Sequence, residues 1–262
     1  MHVRFICLLF ITFAMTAKSE PGASQTVCKI IEPDATDGVL VAPASHKILF
    51  EDPDIRVLDV TVLAHTREPW HTHARPAVMY IMTASNAKYM TPEDPNPEPS
   101  VPSVHFKPVV ARLDHAEPLH AIENVGELTF HAIRVEFKHP RCSLVPTQPA
   151  IAPGSSDALL AASDYHTLLF DNSDVRVLDV HLPPHTREPI HTYPWPGVLY
   201  ILQGAPSRYY ASTVLDPPVQ NPPPNFKAIP VPAEGLHSLE NTGEITAHAI
   251  RFELKHATPV SH

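Results

Sequence analysis

The chain has 262 residues, 28 acidic against 19 basic side chains and a formal net charge of −9, with 18 histidines, 31 prolines and 8 glycines. That balance leaves no basic footprint for nucleic acid and no polybasic segment for anionic lipid. The length suits one large β domain or two domains of roughly 100 to 130 residues each.

In chain order, the first segment reads MHVRFICLLFITFAMTAKSE. One arginine precedes an apolar run from Phe5 to Ala17, the layout of a secretory signal peptide over residues 1–19. The run is shorter than the roughly 20 residues that span a bilayer. The expectation is therefore an exported chain with no membrane partner after cleavage, rather than an anchored one. Cys7 lies in this segment, leaving Cys28 and Cys142. In an oxidising compartment these two are expected to form a disulfide, two free thiols being the alternative.

The rest of the sequence is one text written twice. RVLDVTVLAHTREPWHTH (Arg56 to His73) returns as RVLDVHLPPHTREPIHTY (Arg176 to Tyr193), 120 residues later. VMYIM at Val78 returns as VLYIL at Val198, and FHAIRVEFKH at Phe130 as AHAIRFELKH at Ala247. The reading is an N-terminal arm at 20–39, a first unit at 40–140, a linker at 141–156, a second unit at 157–257 and a tail at 258–262. Within each copy the local signal is strand. Ile55, Val57 and Asp59 alternate with Arg56, Leu58 and Val60; His131, Ile133, Val135 and Phe137 alternate with Arg134, Glu136 and Lys138. No helical period is sustained, so the fold class is all-β, with a small antiparallel sandwich or barrel in each half.

His71 and His73 alternate along a strand and leave the same face, about 7 Å apart. His120 follows from a later strand, with Asn124 four residues on. Two paired histidines and a distant third suit a mononuclear site with open positions. His71-Thr-His73, VMYIM and His120-Ala-Ile-Glu-Asn124 resemble the two motifs of the cupin superfamily, and both copies follow that layout, so the chain resembles a bicupin with two tandem jelly-roll barrels. The departures are specific: the motif's opening glycine falls at His65 and His185, its glutamate at Ala77 and Gly197, and its closing glycine at Ala84 but is kept at Gly204.

The resemblance implies metal ligands at His71, His73 and His120 without the usual carboxylate, a set like that of iron-dependent dioxygenases. One divalent transition metal is expected, iron by preference, with zinc, copper, nickel and manganese as alternatives, together with a small anionic ligand or substrate. In the second copy His191 and His237 align, but Tyr193 replaces the middle histidine. A phenol with an unperturbed pKa of about 10 is a poor ligand near neutral pH, so that site is expected to be vestigial. The alternatives are a non-catalytic bicupin that binds a metal or small ligand, and a degenerate barrel whose histidines are hydrogen-bonded core residues.

Four further residues bear on the site. On alternation Arg67 and His65 share the face of His71; Arg67 is either a clamp for a substrate carboxylate or a surface arginine. His65 is a candidate to stand behind a metal ligand, and His131 is expected inside the barrel, as a core histidine or likewise behind a metal ligand. Glu68 is expected to face away from His71.

Overall fold

The computed structural model describes residues 30–102, 108–113, 116–139, 154–211 and 216–255. The expected signal segment and tail, and most of the linker, lie outside these. Two β-rich units follow one another. The first comprises helix α1 (Gly38–Val41) and strands β1 (His46–Glu51), β2 (Ile55–Val62), β3 (His71–His73), β4 (Ala77–Thr83), β5 (Ala87–Met90), β6 (Val109–Leu113), β7 (Glu117–Asn124) and β8 (Phe130–Phe137). The second repeats it with α2 (Ala158–Ala161), β9 (His166–Asp171), β10 (Val175–Leu182), β11 (Thr186–Arg187), β12 (His191–Tyr193), β13 (Gly197–Gln203), β14 (Ser207–Ala211), β15 (Ala228–Val231), β16 (Glu234–Asn241) and β17 (Ala247–Leu254).

Each unit is a cupin-like sandwich of antiparallel strands. In the first, the five-stranded sheet β1-β2-β8-β4-β6 stands against the three-stranded sheet β3-β7-β5. In the second, β15-β13-β17-β10-β9 stands against β11-β16-β12, with β14 on β16. The small sheets have matching registers: His71 is opposite His120, and His191 is opposite His237.

The central strands of the large sheets are buried on both faces. Ile55, Val57, Val78, Tyr80, Ile133 and Val135 form one apolar core with Val175, Val177, Val198, Tyr200, Ile250 and Phe252, so the units pack sheet to sheet. Arg56, Leu58 and Val60 then point the other way, into the first barrel. This corrects the expected orientation of β8. Its apolar face looks toward the second unit, and its charged face, Arg134 and Glu136, looks into the barrel. Burial of those charges is tolerable because they are paired. Arg56 makes a two-point ion pair with Asp37 (3.0 and 2.8 Å) and donates to Glu136 (2.8 Å), which also accepts from Arg134 (3.0 Å).

Two further expectations change. The expected Cys28–Cys142 bridge does not stand: no disulfide bond is present among the described residues. Both cysteines lie outside the described residues. The ends of the first unit are tied without them, through Ile31 N donating to Lys138 O (2.8 Å) and Arg75 Nε donating to Ile31 O (2.8 Å). The segment assigned to an arm is also part of the unit: Asp37 caps α1 by accepting from Val39 N and pairs with Thr72 of β3.

The motif's missing glycines have a backbone reason. His65 and His185 have φ of 56° and 52°, in the left-handed region that favours glycine. Histidine is among the residues that enter it most readily after glycine. Each sits on a turn, its Nε2 3.1 Å from an exposed carboxylate, Glu127 or Glu244.

Candidate metal centres

The first unit gathers four histidines at one end of its barrel. Strand β3 supplies His71 and His73, β7 supplies His120, and the start of β1 supplies His46. All four are at most 3% exposed. Ring centroids are 5.1 Å apart for His71 and His73, 4.3 Å for His71 and His120, and 4.6 Å for His46 and His71. One ring nitrogen from each of His46, His71 and His73 lies within 4.8 Å of the others. His120 lines the same cavity and stacks on Tyr89.

The tautomers follow from the partners. His71 Nδ1 is 2.9 Å from Pro69 O and His120 Nδ1 is 2.8 Å from Pro118 O. A carbonyl only accepts, so both Nδ1 atoms carry the proton and both Nε2 atoms keep a lone pair, the arrangement a metal requires. His73 Nδ1 lies 3.1 Å from Glu136 Oε1, the carboxylate already held by Arg56 and Arg134. Burial keeps the rings neutral: it is the largest cause lowering His46 to about 2 and His71 to about 4, and it lowers His73 and His120 in the same direction.

Glu68 is the surprise of the site. It is 4% exposed, and its Oε1 lies 3.5 Å from His46 Nδ1; neither atom has a hydrogen-bond partner. Burial pushes its pKa up to about 7. Counting alternation back from His71 failed because the chain between is no strand: Pro69 interrupts it, and Glu68 N donates instead to Ile122 O. The donor set, three tautomer-fixed or carboxylate-backed imidazoles and an orphaned buried His–Glu pair, fits a divalent transition metal.

The other expected residues lie elsewhere. His65 is on the exposed turn. Arg67 is exposed and covers the Trp70 ring at 5.5 Å. His131 is on the inter-unit face of β8, 3.2 Å from Asp59, with the sheet between it and the cluster. Sequence reasoning missed His46, yet the signal was present: extending the 120-residue offset toward the N-terminus aligns His46 with His166 and Asp37 with Asp157.

In the second unit the rings of His191, Tyr193 and His237 are neighbours, and further donors stand beside them. His166, Glu188 and His191 each bring a ligand atom within 4.8 Å of one another. Glu188 is pushed up to about 8 by burial, and His191 Nε2 is buried without a partner. Here Tyr193 takes the place of His73. Its hydroxyl is 2.5 Å from His166 Nε2, whose Nδ1 is 3.0 Å from Ala162 O, so the phenol is the donor. Its ring lies 3.5 Å from the Arg251 guanidinium carbon and packs on Ala158.

No family model matches the sequence, and no curated protein does. Among solved structures, the chain is similar to an oxalate decarboxylase from Lactobacillus farciminis (12% identity, 83% of this chain and 79% of that one, TM-score 0.44). It is similar to a salicylate 1,2-dioxygenase from Pseudaminobacter salicylatoxidans (10%, 77% and 71%, TM-score 0.43). A cupin domain from Bordetella pertussis matches over 34% of this chain and 91% of its own length, with 17% identity and a TM-score of 0.31.

Proposed function

We propose that the first unit holds one divalent transition metal ion on His71, His73 and His120, with His46 as a further ligand, and acts on a small molecule in the adjoining cavity. The observation that carries this reading is the pair of Nδ1 to backbone-carbonyl bonds, which leave the lone pairs of His71 and His120 free toward a shared cavity. The specific form we favour is an iron(II)-dependent dioxygenase. Bound there, iron would supply activation of dioxygen beside the substrate. The protein's own part is to keep the imidazoles neutral, to hold His73 through Glu136, and to exclude water with the apolar wall. A single ion per chain is favoured because Tyr193 occupies His166 Nε2 in the second unit. Export by the N-terminal segment belongs to the same proposal, and the mass of the mature protein tests it.

Oxygen uptake by iron-loaded protein, surveyed over aromatic acids and thiols, tests the enzyme reading. Uptake that needs both iron and substrate supports it. Tight metal with no uptake on any of them supports a binding protein instead.

A further inference from the structure

The cavity beside the histidines has a volume of about 230 Å³. A dry cavity of roughly 150 Å³ is enough for benzene, so this one accommodates a six-membered ring with a few further atoms. Its walls divide by sheet. The histidines His71, His73 and His120 come from the small sheet, whereas Val60 and Val62 of β2, Met79 and Ile81 of β4 and Phe130 of β8 come from the large one. A ligand that reaches the histidine cluster therefore has aliphatic and aromatic side chains across from it.

The charges lining the cavity restrict the ligand further. Arg134 is the sole cationic side chain among the lining residues, and it is committed: Nη1 donates to Glu117 (2.5 Å) and Nε to Glu136 (3.0 Å). Its Nη2 has no partner but is sealed from any space a water molecule could enter. Two acidic side chains, Glu68 and Glu117, line the same cavity. A second anionic group on the ligand would meet carboxyl groups and apolar walls, with no free cation to receive it.

We infer that the first unit selects a compact molecule with one anionic metal-binding group, such as a carboxylate or thiolate, on an apolar body the size of a single ring, and discriminates against dicarboxylates. This rests on the metal reading above.

Cobalt(II) loading of the full chain separates the two claims, because the visible bands of cobalt report the metal and their shift reports the ligand. Benzoate is expected to shift the bands at a concentration at least tenfold below that needed for acetate, which has the same donor without the ring, and below that for malonate. Phe130→Trp and, separately, Ile81→Phe fill the apolar side; each is expected to keep the cobalt bands and lose the preference for benzoate. Equal response to benzoate and acetate, or a stronger response to malonate, overturns the ligand class while the metal reading stands. No cobalt bands in the parent overturns the metal reading and this inference with it.

Discussion

Gly38 and Ala158 open the equivalent short helices of the two units, and they differ by one methyl group at the roof of each cluster. A Cβ on Gly38 would lie 3.0 Å from His71 Cδ2, 3.2 Å from His73 Cε1 and 3.3 Å from His46 Cδ2. Ala158 carries that methyl and packs on Tyr193. Gly38→Ala is therefore expected to crowd three rings at once. Alanine favours a helix by roughly 0.5–1 kcal/mol over glycine, so the metal-free fold should hold while metal affinity falls about tenfold, or ~1.4 kcal/mol. Competition with a chelator measures the affinity, and the melting temperature in chelator measures the fold. Ala158→Gly should leave metal binding unchanged.

Glu136 joins Arg56, Arg134 and His73 at the centre of the first barrel, with a fully buried side chain. Removing one partner from a buried charged group costs about 3–5 kcal/mol, because the others are left uncompensated. Glu136→Ala should destabilise the metal-free protein by that order in urea denaturation, and Glu136→Gln by less. A loss below 1 kcal/mol for alanine would show that the network does not hold the barrel.

Burial gives the metal-free protein a pH dependence of definite sign. His46, His166, His71 and His191 are lowered from 6.5 to about 2, 3, 4 and 4. Unfolded, they take up protons below about pH 6.5, so the stability they contribute is whole above that pH and is lost as pH falls toward the folded values. Glu68 and Glu188, raised to about 7 and about 8, behave oppositely. Their contribution is whole below about pH 4.5 and is lost as pH rises through the folded values. His73 and His120 are lowered as well, so the lowered histidines outnumber the raised carboxyls, and stability rises from pH 4.5 toward 6.5 and then declines toward 8. Urea titrations in chelator should find the maximum between about pH 6 and 7; a maximum at pH 9 would contradict it.

Tyr193→His restores to the second unit the side chain found at His73. If the phenol is what closes that cluster, the variant should take up close to one more equivalent of metal than the parent, read by elemental analysis. No gain would place the obstruction elsewhere, with Ala158 as the next residue to change.

The repeat, the all-β class and the pairing of His71 with His73 on one short strand were legible because period-2 strands and a 120-residue offset are local patterns. The outward face of β8 was not. Alternation shows that Ile133 and Arg134 point opposite ways, but it does not say which way is inside when a second unit covers the apolar face. Glu68 was lost for a related reason: alternation holds along a strand, and Pro69 ends one. His46 lies outside the cupin-like motif, although the 120-residue offset of the repeat also pairs it with His166.

Metal stoichiometry in four proteins tests the whole reading most directly: the parent, His71→Ala, His120→Ala and His191→Ala, each purified without an affinity tag and reconstituted with iron, zinc, copper, nickel and manganese. One tight equivalent is expected in the parent and in His191→Ala, and none in the other two. An ion that binds only the folded state stabilises it by mass action, so chelator should lower the melting temperature of the first pair and leave the second pair nearly unchanged. Two tight equivalents in the parent, equal losses from His71→Ala and His191→Ala, or no tight metal in any of the four would contradict a single metal centre in the first unit.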